Sequence, residues 1–166
     1  MTIQPIRVWG DPVLRGRATE VTTFDNALRS LIVDLFETMY DAPGVGLAAP
    51  QIGVDLQVFV YDVDGVVGHV VNPSLTVSAE SQRGSEGCLS VPGLRYERRR
   101  ARHAQVTGFD QDGAPVYAAA TGLLARCFQH ETDHLDGEIY VDGLARADKM
   151  HALRAIRDAD LVNSSA

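Results

Sequence analysis

The chain has 166 residues, 45% of them hydrophobic and 22% charged, which is enough to bury one core and too little for two comfortable domains. Fifteen Lys and Arg against 22 Asp and Glu leave a formal charge of -7, which argues against a surface built to neutralise nucleic-acid phosphates, so DNA is not an expected partner. The two cysteines allow at most one bridge, the amino terminus carries no export signal, and no apolar run approaches the ~20 residues of a membrane span. The expectation is one domain, 1–166, in the reducing cytoplasm, with no membrane partner.

From Asp25 to Asp41, Leu28, Leu31, Ile32, Leu35, Phe36, Met39 and Tyr40 fall at helical spacing, and Pro43-Gly44 stops the helix. Strand-like pieces follow at Gln57–Asp62, Val66–Asn72, Leu75–Ala79, Leu94–Arg100, Ala104–Phe109 and Pro115–Ala119. Asp64-Gly65 and Asp112-Gly113 punctuate them as hairpin turns, so the pairing is predicted to be antiparallel. A second helix is expected from Thr121, a suitable N-cap, to Asp136, because Gly137 suits the position just past a helix end. A third is predicted over 146–159, with Met150, Leu153, Ile156 and Arg157 at helical spacing. Helix, strands, then helices give an α+β class.

His130-Glu131-Thr132-Asp133-His134 lies inside the second predicted helix, so its histidines project from one face, four residues apart, and can share an ion. Glu131 points about 100° around the helix, close to the ion without ligating it, as metal-assisted hydrolysis requires. Leu123 and Cys127 continue the histidine stripe toward the helix start, which predicts a buried face where unpaired imidazoles are costly. Catalytic sites of this kind have three protein ligands. Cys88, Cys127, His69, His103 or a carboxylate are candidates for the third. Cys127 suits a small core residue, whereas Cys88, in the Gly87-Cys88-Leu89-Ser90 turn between strand-like pieces, can reach across to the helix.

Three separated motifs, Gly44-Val45-Gly46-Leu47-Ala48-Ala49-Pro50-Gln51, Glu86-Gly87-Cys88-Leu89-Ser90 and His130-Glu131-Thr132-Asp133-His134-Leu135-Asp136-Gly137, resemble in order and spacing the signatures of the peptide deformylases. Asp11-Pro12-Val13-Leu14-Arg15 is similar to that family's opening segment, and the resemblance runs from about Ile6 to Leu144. It implies small antiparallel sheets packed around a central metal-binding helix, with Cys88, His130 and His134 holding one divalent ion. Fe(II) is implied as the native metal, with Zn(II) or Ni(II) able to replace it. Ligand chemistry alone suggests Zn.

The implied reaction removes the N-formyl group from the initiator methionine of N-formylmethionyl peptides. Glu131 then serves as general base and acid, and Gln51 and the Leu89 backbone N–H donate to the oxyanion. The resemblance also gives Gly46 a main-chain contact to a peptide added as a strand, and Val45, Leu123 and Cys127 a pocket for the methionine side chain. Arg126 stands where the family often has an aliphatic residue, at the pocket rim. Glu86 and Arg95 are expected to pair and fix the cysteine turn. Arg98, Arg99, Arg100 and Arg102 read as a solvated strand, and Lys149, Arg154 and Arg157 as a face that touches ribosomal RNA near the exit tunnel. The rival readings are a zincin-type endopeptidase, whose third ligand normally lies downstream, and a catalytically inactive metal-binding family member.

Overall fold

The computed structural model describes residues 2–164; Met1, Ser165 and Ala166, which the predicted range 1–166 includes, lie outside the described residues. Helix α1 (Asn26–Asp41) starts where Asp25 accepts a hydrogen bond from the Leu28 N–H, an N-cap that satisfies one of the helix's orphan donors. Strands β1 (Gly46–Ala48), β2 (Val58–Val63), β3 (Val66–Val77), β6 (His103–Phe109) and β7 (Pro115–Thr121) form an antiparallel sheet in the order β1-β2-β3-β6-β7. A second sheet is the hairpin of β4 (Ser81–Cys88) and β5 (Val91–Ala101). Helix α2 (Gly122–Leu135) carries the two histidines, and α3 (Arg146–Ser164) runs five residues beyond its predicted end.

Strand β2 shows why the large sheet is covered on both faces. Its side chains alternate, with Val58 and Val60 packed among the α1 residues Leu28, Ile32 and Leu35, and Phe59, Tyr61 and Val63 packed with Ala125, Phe128 and Leu135 of α2. Helix α2 is therefore buried around most of its girth, between the large sheet on one side and the β4–β5 hairpin on the other. A third apolar cluster joins Leu14, Ile139, Tyr140, Val141, Ala152 and Ile156, and ties the amino-terminal segment and α3 to the hairpin side.

The structure departs from expectation at three places. The pieces 66–72 and 75–79 are one strand, β3, interrupted by a register shift between Val71 and Ser74. Asn72 sits there with φ 50° and ties the bulge to Val21 through two hydrogen bonds, so Asn72-Pro73 marks a bulge and not an end. Strand β4 has no predicted counterpart because Ser81-Gln82-Arg83-Gly84-Ser85-Glu86-Gly87 lacks the β-branched and aromatic residues that signal a strand. Met150, at helical spacing with Leu153 and Ile156 on α3, is exposed, while Ala152 and Ile156 take the core positions. No helix among the described residues is long and apolar enough to cross a membrane.

Candidate metal centre

Cys88 is the last residue of β4, and the two-residue turn Leu89-Ser90 that follows holds it against α2. Its Sγ and one ring nitrogen each from His130 and His134 lie within 4.8 Å of one another. Cys88 Sγ is 3.3 Å from His134 Nε2. A sulfur and a nitrogen bonded to one tetrahedral ion stand about 3.5 Å apart, so the donor set fits a shared metal. One thiolate and two imidazoles suit Zn and Fe, and the imidazoles also suit Ni.

The Glu86 contact of one ring and the neutrality of the other support this fit. His130 Nδ1 lies 2.8 Å from Glu86 Oε1 and donates to it, which leaves Nε2 as the ligand atom. Burial opposes a positive charge on His130, but hydrogen bonds with Cys88 and Glu86 outweigh it and raise its pKa well above the usual histidine value. Burial, and then the charge of His130, hold His134 well below that value, in the neutral form that ligates.

Glu131 is buried beside the ligands, and its Oε2 has no hydrogen-bond partner among the described residues. Burial pushes its carboxyl up to about 7, with the His130 charge working in the other direction. Gln51 lies in a short 3-10 helix, Ala49–Ile52, that follows β1. Its Oε1 accepts from the Ala48 N–H at 3.0 Å, so its amide nitrogen faces the site, 3.2 Å from Ser90 Oγ and 3.7 Å from Cys88 Sγ. Such an arrangement can activate water and hold a developing oxyanion.

All the predicted site residues except His134 line one cleft of about 600 Å³, open between the free edge of β1 and the β4–β5 hairpin. Gly46 has a sharper requirement than its sequence suggested. A Cβ there would stand 2.5 Å from Glu131 Oε1 and 2.8 Å from Cys127 Sγ, so any side chain at this position would have to displace both. Cys127 is buried, with its Sγ 3.6 Å from the Val45 carbonyl. Leu123, expected on a buried face, is 47% exposed at the mouth of the cleft, as is Val45 at 46%; the helix emerges from the core there.

The expected Glu86–Arg95 pair is not formed. Register explains it: Glu86 stands opposite Tyr96, and residues opposite one another share a sheet face, so Tyr96, Arg98 and Arg100 lie on the Glu86 side while Arg95 lies on the other, bonded to Ser85. Glu86 instead meets Arg100, Arg126 and His130. The solvated-strand expectation holds for the exposed Arg99 and Arg102 and fails for Arg98, which is largely covered and donates to the Tyr140 carbonyl at 2.9 Å, and for Arg100, which is buried and also reaches Asp133 of α2 at 2.6 Å. Arg126 is likewise a buried partner of Glu86 and not an open rim residue. Two signals could have found both arginines: the two-residue period of β5, and the four-residue step from Arg126 to His130.

Residues 3–150 match the family model described as polypeptide deformylase. A peptide deformylase of Acidothermus cellulolyticus is 62% identical over 160 residues, covering 96% of this chain and 89% of the relative. The crystal structure of a peptide deformylase from Legionella pneumophila superposes with a TM-score of 0.91 at 42% identity, covering 99% of each chain. That of the Ehrlichia chaffeensis peptide deformylase in complex with actinonin gives 0.89 at 33% identity, covering 96% of this chain and 98% of the other.

Proposed function

The chain belongs to the polypeptide deformylases, and from that premise we propose how its residues divide the work of removing the formyl group from formylated peptides. The family is metal-dependent, and Cys88, His130 and His134 are the residues that would hold the ion, with Fe(II) as the native metal and Zn(II) or Ni(II) as replacements. When bound, the ion supplies a Lewis acid that makes hydroxide available near neutral pH.

Glu131 takes the proton of the attacking water and delivers it to the leaving nitrogen, so that the amide C–N bond breaks to formate and a free amine. Gln51, oriented by the Ala48 N–H, donates from Nε2 to the oxyanion, and the Leu89 backbone N–H is the second donor. The peptide lies along the free edge of β1, where Gly46 offers its backbone, and the initiator methionine enters the cleft among Val45, Leu123 and Cys127. The observation that carries this reading is the convergence of three ligand atoms beside a buried carboxylate whose Oε2 has no hydrogen-bond partner among the described residues, at the base of a cleft.

A thiolate ligand requires a reducing compartment, which supports the cytoplasm. Contact with ribosomal RNA through α3 is supported by the exposed Arg154 and Arg157, and it predicts salt-sensitive co-sedimentation with ribosomes that an Arg154→Glu, Arg157→Glu double variant loses. The reaction itself is tested by offering formyl-Met-Ala-Ser and a peptide with only internal bonds to one anaerobic preparation. Formate release from the first alone is expected. Cleavage of the second and not the first would favour the zincin-type reading, and neither reaction in metal-loaded protein would favour the inactive one.

A further inference from the structure

Arg126 is a guanidinium with two jobs at one buried point. From α2 it donates Nη1 to Glu86 Oε2 at 2.8 Å, and Nη1 and Nη2 together reach the Arg98 carbonyl of β5 at 3.1 and 3.2 Å. The strand beneath makes room for it, since a Cβ on Gly84 would stand 2.9 Å from Arg126 Nη2. A buried arginine in the wall of the cleft needs a reason.

The carboxylate it grips provides one. Glu86 Oε1 accepts from Arg100 Nη2 at 2.5 Å and from His130 Nδ1 at 2.8 Å, and Oε2 accepts from Arg100 Nε at 3.1 Å and from Arg126. All four lone-pair positions are therefore used. Arg100 approaches as a planar fork from β5, and Arg126 and His130 approach from successive turns of α2. The plane of the carboxylate is fixed from two elements at once, and it can turn toward His130 in one way only.

We propose that Arg126 is a positioning residue for the metal centre: by holding Glu86 Oε2 it keeps Oε1 aimed at His130 and so fixes the ring that ligates through Nε2. This rests on the assignment of Cys88, His130 and His134 as ligands. Partners of ligating histidines tune metal affinity through ring orientation and basicity, and Arg126 acts one bond further out. Arg100 alone leaves Oε2 with a single 3.1 Å partner.

The test uses the cobalt(II)-substituted protein, whose visible bands report ligand geometry, and the rate at which a chelator removes the cobalt. Arg126→Met, of similar length, should raise that rate about 10-fold, the lower end of what losing a partner of a ligating histidine costs, and should shift the visible bands. Arg126→Gln carries the same expectation and replaces the Met variant if that one does not fold. Arg126→Lys keeps a cationic donor for Glu86 but lacks the fork for the Arg98 carbonyl, so it should return the spectrum and bring the rate to within about threefold of wild type.

Wild-type rates and spectra in both neutral variants would overturn the proposal. A Lys variant as leaky as the neutral ones would also overturn it, because the strut to β5 would then be what matters. Failure of the wild-type chain itself to take up cobalt would refute the ligand assignment beneath it, and is seen separately.

Discussion

His130 Nδ1 and Glu86 Oε1 stand 2.8 Å apart, the first on the metal-binding motif of α2 and the second on β4, so the strand that ends in Cys88 also orients a histidine of the helix. Replacing Glu86 with Gln removes the charge shared by Arg100, Arg126 and His130. It should lower metal affinity by about 10- to 100-fold and destabilise the fold by roughly 3–5 kcal/mol, because the buried Arg126 loses its counter-ion and Arg100 keeps only Asp133. Chelator competition and thermal melts measure the two effects independently.

The same carboxylate predicts an acid limit. Burial alone would raise the Glu86 pKa, but hydrogen bonds from His130 and Arg100 and their charges hold it well below the usual carboxylate range. A group whose folded pKa is depressed gives stability that is complete above its unfolded pKa, about 4.3, and is lost as pH falls from there toward the folded pKa. The gap between the melting temperatures of wild type and Glu86→Gln should narrow as pH falls below about 4. A gap that widens on acidification would contradict the network.

The two cysteines should separate cleanly. Cys88→Ala removes a ligand atom and should empty the site, whereas Cys127→Ala removes a buried thiol that packs against β1 and should cost about 1 kcal/mol or more with the metal retained. Metal content by elemental analysis decides, and equal loss in both would refute the assignment of Cys88.

Gly46→Ala places a methyl group against Glu131 and Cys127. Neither neighbour is a metal ligand, so the variant should keep its ion while kcat falls by about 10-fold or more, as expected for a displaced proton carrier. A variant with unchanged kcat would show that Glu131 moves without consequence.

Local rules made much of this molecule legible. The Asp25 cap, the Asp64-Gly65 turn with φ 53° and 81°, and the stop at Gly137 with φ 79° are each specified within a few residues. The histidine pair and Glu131 follow from helical spacing alone. What escaped depends on contacts between segments. Strand β4 carries no strand composition and exists because β5 pairs with it along its length. Nearness to the cysteine turn favours Arg95 as the partner of Glu86, whereas sheet parity and the approach of α2 select Arg100 and Arg126. Leu123 kept the periodicity of a buried face but sits where the helix leaves the core.

The division of labour between ligands and proton carrier is tested most directly by Glu131→Gln, purified anaerobically, with metal content and formate release from formyl-Met-Ala-Ser measured on one sample. The account predicts the same metal content as wild type, one ion per chain, and turnover reduced by about 10²- to 10⁴-fold, the usual worth of a positioned general acid–base. An empty site in that variant, or wild-type turnover from a filled one, would contradict it.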